Sequence, residues 1–257
     1  MSKVLSVASG KGGVGKTTVV SNLGALLTEL GKDVVLVDGN LSTANLSLHL
    51  GIPLYPVTLH DVLKGDAMMP EAMYVHPSGM KVVPSGIGID DLEGTDSRDL
   101  PIVVDELVGE SDMVLLDTAA GLGQETISTL EASDELLLVT HPNLPSLTDV
   151  LKTKNLAEGL GVKVKGVVIN AHTGSGEELS SEEVRDMLDG LPVLAKIPHD
   201  EKVREAVAMK KPVVHHDPYS PASKAFEGLV SEIVPHKVDF GRKQGSIFER
   251  VANFFNF

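Results

Sequence analysis

The chain has 257 residues, 42% hydrophobic and 23% charged, enough for one large α/β domain with a substantial core. Its 36 acidic residues outnumber 22 basic ones, and the resulting net charge of −14 opposes nucleic-acid binding in general, although a local basic patch could still bind it. The absence of cysteine excludes disulfides and thiolate metal sites. With no secretory signal and no apolar run of the ~18 residues a membrane span needs, a cytosolic protein is expected.

In chain order, a strand is predicted over 3–9 and a helix over 17–30, joined by a glycine-rich turn. Strands over 33–38 and 81–84, a helix over 101–108 and a strand over 113–117 follow. Then come a helix over 124–130, a strand over 135–140, a helix over 146–159 and a strand over 165–170. The series closes with helices over 181–188, 201–209 and 221–234 around a strand over 193–197. Ser180 followed by Glu183 has the spacing of a capping box at the start of the 181–188 helix. Apolar strands alternating with amphipathic helices predict a mostly parallel, twisted α/β sheet with helices on both faces. No internal repeat or low-complexity tract interrupts the pattern. The body is expected to span 1–235, with a linker over 236–245 and a separate C-terminal helix over 246–257.

The turn after the first strand reads Gly10, Lys11, Gly12, Gly13, Val14, Gly15, Lys16, Thr17, Thr18. It fits the phosphate-loop pattern G-x-x-x-x-G-K-[ST], and its strand-to-helix setting makes the match specific. The glycines let backbone N–H groups turn toward phosphate oxygens, and the helix N-terminus adds a favourable dipole. Lys16 is expected to reach the outer phosphates and the Thr17 hydroxyl to hold Mg²⁺. Two further apolar strands end in Asp38 and Asp117. Ligands of open parallel sheets lie at the carboxyl ends of strands, so both aspartates are expected to face the loop. Each alone reads equally as a strand-end cap. With the loop, they read as groups that hold Mg²⁺ through water, and residues 118–123 as a segment sensing the terminal phosphate.

Lys11 sits where the general pattern allows anything. The run Lys11-Gly12-Gly13-Val14-Gly15-Lys16-Thr17 resembles the "deviant" loop K-G-G-x-G-K-[ST] of the MinD/ParA ATPases, a P-loop NTPase group. The resemblance implies that Lys11 reaches across an ATP-bound homodimer to the partner's phosphates, much as an arginine finger does. It extends over most of the chain, including Asn45-Leu46, the 58–63 stretch and Ile197-Pro198-His199-Asp200. It implies that Asn170 bonds adenine, that Pro198 and Asp200 frame the base, and that Asp149 pairs with a site lysine such as Lys11. ATP and Mg²⁺ are the implied ligands, and an activating protein is an implied partner. The implied role is positioning a cellular structure, such as a division site, on the inner face of the cell membrane.

The chain departs from the resemblance at position 40. The family's first switch reads Asp-x-Asp, whereas here it reads Asp38-Gly39-Asn40. An amide binds water but cannot take its proton as a carboxylate does. ATP binding is expected to survive and hydrolysis to be slow or arrested, whether Asn40 is native or introduced. A naturally slow ATPase is the plainer alternative.

Five of the six phenylalanines fall at or after position 240. Ile247, Phe248, Val251, Phe254 and Phe255 share one helical face, and from His236 onward four basic residues face two acidic ones. This reads as an interfacial membrane helix and resembles the MinD targeting tail; a helix docked on the body or on a partner is the alternative. Among other readings, a ParA-like DNA-partition ATPase fits the nucleotide site but not the acidic charge or the tail. A positional module using ATP only as a conformational ligand is compatible with Asn40. An iron–sulfur carrier of the related Mrp group needs paired cysteines and is excluded.

Overall fold

The computed structural model describes residues 2–52, 55–234 and 240. The predicted tail helix, with Ile247, Phe248, Val251, Phe254 and Phe255, lies outside them, as does most of the expected linker. Among the described residues, eight strands form one sheet in the order β3-β4-β2-β5-β1-β6-β7-β8. They are β1 (Lys3–Ala8), β2 (Val34–Gly39), β3 (Tyr74–Val75), β4 (Lys81–Val83), β5 (Met113–Thr118), β6 (Glu135–Thr140), β7 (Lys163–His172) and β8 (Val193–Pro198). All pairs are parallel except β3 with β4. The helices are α1 (Lys16–Glu29), α2 (Leu46–Leu50), α3 (Leu59–Leu63), α4 (Leu100–Asp105) and α5 (Gln124–Glu131). They continue with α6 (Leu144–Gly159), α7 (Ser181–Met187), α8 (Glu201–Ala208), α9 (Val213–His216) and α10 (Pro221–Ile233).

The apolar strands carry little polar alternation because both of their faces are covered. Leu36 of β2, Leu5 and Val7 of β1 and Leu115 of β5 pack under α1 and α10. Their neighbours Val35, Val37, Val4, Val114 and Leu116 pack on the other side with α3 and α4. Farther along that side, Leu136, Leu138, Val167 and Ile169 meet α6 and α7. By the same alternation, Asp38 and Asp117 fall on the α1 face. Central β1 lies between β5 and β6, with β2 and β4 to one side and β7 and β8 to the other. The turn leaving β1 therefore opens at the switch point of the sheet, where α/β folds bind ligands.

Each strand and helix predicted within residues 1–235 has a counterpart here, with ends shifted by a few residues. The capping box at α7 is present: Glu183 N–H donates to Ser180 Oγ at 3.2 Å, and Ser180 N–H donates to Glu183 Oε2 at 2.8 Å. The sequence reading did not assign β3, α2, α3 or α9. These have two, five, five and four residues, too few to show a period. Phe240, inside the expected linker, rests against the core under α1 and α10.

Phe226 of α10 is completely buried in that core. We expect Phe226→Ala to cost about 3–5 kcal/mol. Denaturant unfolding measures it directly, and a loss below about 1 kcal/mol would contradict the packing described.

Candidate nucleotide-binding site

Several helices of this chain are closed at their N-termini by side chains. Asn143, Ser180, Asp200 and Ser220 accept backbone N–H bonds at the starts of α6, α7, α8 and α10. α1 begins instead at Gly15, with no side-chain cap and no acidic residue in its first turn. Its leading N–H groups and positive dipole end are left for an anion. Gly15 has φ +99°, and a β-carbon there would overlap the Asn170 amide; one at Gly10 would overlap the backbone of Asp149. Glycine is needed at both positions, and two other elements close against the loop through them.

The remaining groups converge on this helix end. Lys16 is buried, and its ammonium donates to Ser9 Oγ at 3.3 Å, while Ser9 Oγ donates to the Lys11 carbonyl at 2.6 Å. Burial pushes the Lys16 pKa down, and the nearby Asp117 charge opposes that shift. Thr17 Oγ1 donates to Asp117 Oδ2 at 2.6 Å. Asp117 Oδ1 is buried and accepts no hydrogen bond from any described residue. Asp38 and Asp117 are register partners in adjacent strands, which brings two buried carboxyls together on one face. Burial holds the Asp38 carboxyl above its ordinary range, and the Asp117 charge raises it further. Burial also raises Asp117, against the Thr17 hydrogen bond and the Lys16 charge. A hydroxyl, an unpartnered carboxylate oxygen and a second carboxyl are hard oxygen donors that fit Mg²⁺, which also retains waters and phosphate oxygens. Thr17 and Asp117 would hold it, with Asp38 behind them.

Asp38 has a second task. Its Oδ1 accepts Asn40 N–H at 3.3 Å, and its Oδ2 accepts Asn45 and Leu46 N–H at 3.0 Å each. The 40–46 turn is folded around this carboxyl. Within the turn, Asn40 Nδ2 donates to the Thr43 carbonyl at 2.6 Å, and Thr43 Oγ1 donates to Asn40 Oδ1 at 2.9 Å. Both halves of the Asn40 amide are therefore engaged; a carboxylate could accept but not donate. Ser42 donates to Glu125 of α5 through both its hydroxyl and its backbone N–H. That tie links the turn to the helix following residues 118–123.

Lys11 is half exposed and pairs with Asp149 at 3.4 Å, as the resemblance implied; Lys152 shares the carboxylate at 3.1 Å. Asn170 Nδ2 donates to the Val14 carbonyl at 2.7 Å, so in this structure it braces the loop. The next residue, Ala171, has a φ of +54° and lies where the pairing register of β7 with β8 shifts. A left-handed alanine costs roughly 1–3 kcal/mol, strain of the kind that collects at functional sites. Asp200 caps α8 through Lys202 N–H at 2.9 Å and reaches Ala222 N–H of α10 at 3.1 Å, while Pro198 ends β8 beside His172. Neither residue lines the phosphate cleft.

Gly12, Gly13, Gly15, Lys16, Thr17, Thr18 and Asn40 line one open cleft of about 360 Å³, joined by Thr43, Asn45, His49, Thr118 and Ala120. Ser9, Glu125 and His49 were not anticipated as site residues. Ser9 adjoins the loop and was within reach of sequence reasoning. Glu125 and His49 enter only through the folding of the 40–46 turn and of α2.

The fold and this cleft define a phosphate-loop nucleotide-binding protein. The model of the CobQ/CobB/MinD/ParA nucleotide-binding domain matches residues 5–213, and the chain belongs to that family. Within it the chain is a MinD-like ATPase of the MinD/ParA branch. The septum site-determining protein MinD of Pyrococcus horikoshii, solved in complex with Mg-ADP, superposes with a TM-score of 0.88 at 37% identity, over 91% of this chain and 97% of that one. The septum site-determining protein MinD of Thermotoga maritima is 31% identical over 269 residues, covering 100% of this chain and 98% of its own. An uncharacterized ATP-binding protein of Methanocaldococcus jannaschii is 37% identical over 90% of this chain and 87% of its own.

The paired carboxyls give a pH prediction. Groups with raised folded-state pKa values stabilise fully below their ordinary range, and that contribution is lost as pH rises through the raised values. Without metal and nucleotide, the melting temperature should fall between about pH 5 and about pH 8.5, by at least ~2–4 °C from this pair. Saturating Mg²⁺ and ADP should shrink the fall, because the metal stabilises the ionised pair. Asp38→Asn should shrink it too. A scan independent of pH and metal would contradict the assignment.

Proposed function

We propose that this chain is a Mg²⁺-dependent, slowly hydrolysing ATPase that dimerises around ATP, associates with membrane and positions a cellular structure such as a division site or pole. The observation that carries the reading is the uncapped N-terminus of α1 behind Gly10–Thr18, with the Thr17–Asp117 pair beneath it. The loop N–H groups and Lys16 bind the β- and γ-phosphates. Mg²⁺, when bound, neutralises charge on the terminal phosphates. Lys11 leaves Asp149 and turns to the partner's nucleotide, so the ion pair within one chain competes with dimerisation. That pair is partly exposed and therefore weak, an obstacle that a triphosphate overcomes.

The C-terminal residues supply the membrane contact in this reading. Each buried large apolar side chain contributes roughly 1.5–3 kcal/mol, against about 1–2 kcal/mol per residue for ordering the backbone. One tail binds weakly; two on an ATP dimer gain ~10²–10⁴-fold by avidity. ATP then drives attachment, and hydrolysis, stimulated by a protein partner, releases it to the cytoplasm. The resemblance of the tail and the identity to MinD proteins support this; the net charge of −14 argues against a nucleic-acid partner. Among the described residues no helix is long and apolar enough to cross a membrane.

Light scattering and vesicle sedimentation with ATP, ADP and no nucleotide test the reading. We expect a dimer that sediments with anionic vesicles in Mg-ATP and a monomer that does not in Mg-ADP; a nucleotide-free monomer throughout would overturn it. Deleting residues 245–257 should abolish sedimentation and leave ATP binding intact, and sedimentation of the truncated chain would remove the tail from the account. Asn40→Asp should raise phosphate release at least ~10-fold. Equal rates would mean that position 40 does not limit turnover.

A further inference from the structure

α2 brings an imidazole to the phosphate cleft. His49 stands one turn beyond Asn45 and lines the cleft with Lys16, Thr17, Asn40 and Thr43. Apart from Lys16, it is the only titratable side chain on that lining among the described residues. Its Nδ1 lies 3.1 Å from the Asn45 carbonyl oxygen, which can only accept. Nδ1 therefore carries the proton, and Nε2 keeps its basic lone pair. Burial pushes the imidazole pKa down, and the Asn45 carbonyl opposes the shift, so the ring is neutral at neutral pH. Asn40, by contrast, is not basic, and its amide is held at both ends by Thr43.

We propose that His49 is a catalytic residue for ATP hydrolysis in this chain, its Nε2 taking the proton of the attacking water in place of a carboxylate at position 40. The inference rests on the ATPase reading above. The water oxygen forms a bond to the γ-phosphorus, and the bond from that phosphorus to the bridging oxygen breaks. ADP leaves with the electron pair, and the water proton passes to Nε2. The imidazolium then returns the proton to the released phosphate or to solvent. The Asn45 carbonyl holds the ring and stabilises the imidazolium through Nδ1–H.

The charged groups around His49 are few. Lys16 shares the cleft, and Asp38 lies behind the Asn45 and Leu46 N–H groups. At the far end of α2, His76 reaches the Leu50 carbonyl, and Lys210 lies against Gly51. α1, which packs on α2, carries only Lys16 and Glu29 as charged residues.

Phosphate release by the full chain with Mg-ATP, followed from about pH 5.5 to about pH 9, tests the proposal. The variants are His49→Gln, His49→Leu, Asn40→Asp and Asn40→Asp with His49→Leu, each checked by thermal melting and by ADP affinity. Both single His49 variants should turn over ~10²-fold more slowly, keep ADP affinity within about 2-fold, and lose the acidic limb of the wild-type profile. In the Asn40→Asp background, His49→Leu should cost little, because the carboxylate replaces the base. Unchanged rate and acidic limb in both single His49 variants, with the wild type turning over, would overturn this proposal and leave the ATPase reading intact. So would a slowed rate matched by lost ADP affinity and not rescued by Asn40→Asp. A wild type that binds Mg-ATP without turnover would overturn both.

Discussion

Asp38 and Asp117 end adjacent parallel strands at paired register positions, and burying the two carboxyls side by side is the constraint on which the site turns. Like charges a strand spacing apart in a low-dielectric interior cannot both ionise cheaply. The surroundings supply partial relief through the Thr17 hydroxyl, the Lys16 ammonium and three N–H groups of the 40–46 turn. Full relief takes a divalent cation, and a cation there in turn favours a polyphosphate on the α1 N-terminus. A metal and a nucleotide, if bound, would thus favour one another and the turn through a single pair of buried acids.

The same carboxyl also organises the neighbouring chain. The turn over 40–46 exists because Asp38 collects its N–H groups, and Ser42 ties it to Glu125 on α5. A change at the terminal phosphate can therefore reach two chain segments that are far apart in sequence. On the opposite side of the loop, Lys11 pairs with Asp149 of α6. The contacts that organise the loop in one chain are those a second chain would have to replace.

Asn40 changes the chemistry more than the architecture. Its amide bridges the Thr43 carbonyl and hydroxyl, a two-way bond that a carboxylate cannot make, at the position where the resemblance implied a second acid. With that side chain engaged, the basic atom on the cleft lining is the imidazole of His49.

The phosphate loop was legible in the sequence because its chemistry is local: the glycine spacing, Lys16 and Thr17 act within one turn whatever lies around them. The long apolar strands, and the aspartates at two of their ends, were legible for a related reason, since burial on both faces leaves a continuous apolar run. Short elements such as α2, α3 and α9 left no period to read, and tertiary contacts hold them; Asn22 Oδ1, for example, accepts the Val214 N–H at the start of α9. The partners of Asn40, the use of Asn170 as a brace for the loop, the reach of Glu125 and the arrival of His49 at the cleft were decided only by tertiary structure. Each depends on which backbone groups remain unpaired once the sheet and its turns have closed, and no spacing along the chain encodes that.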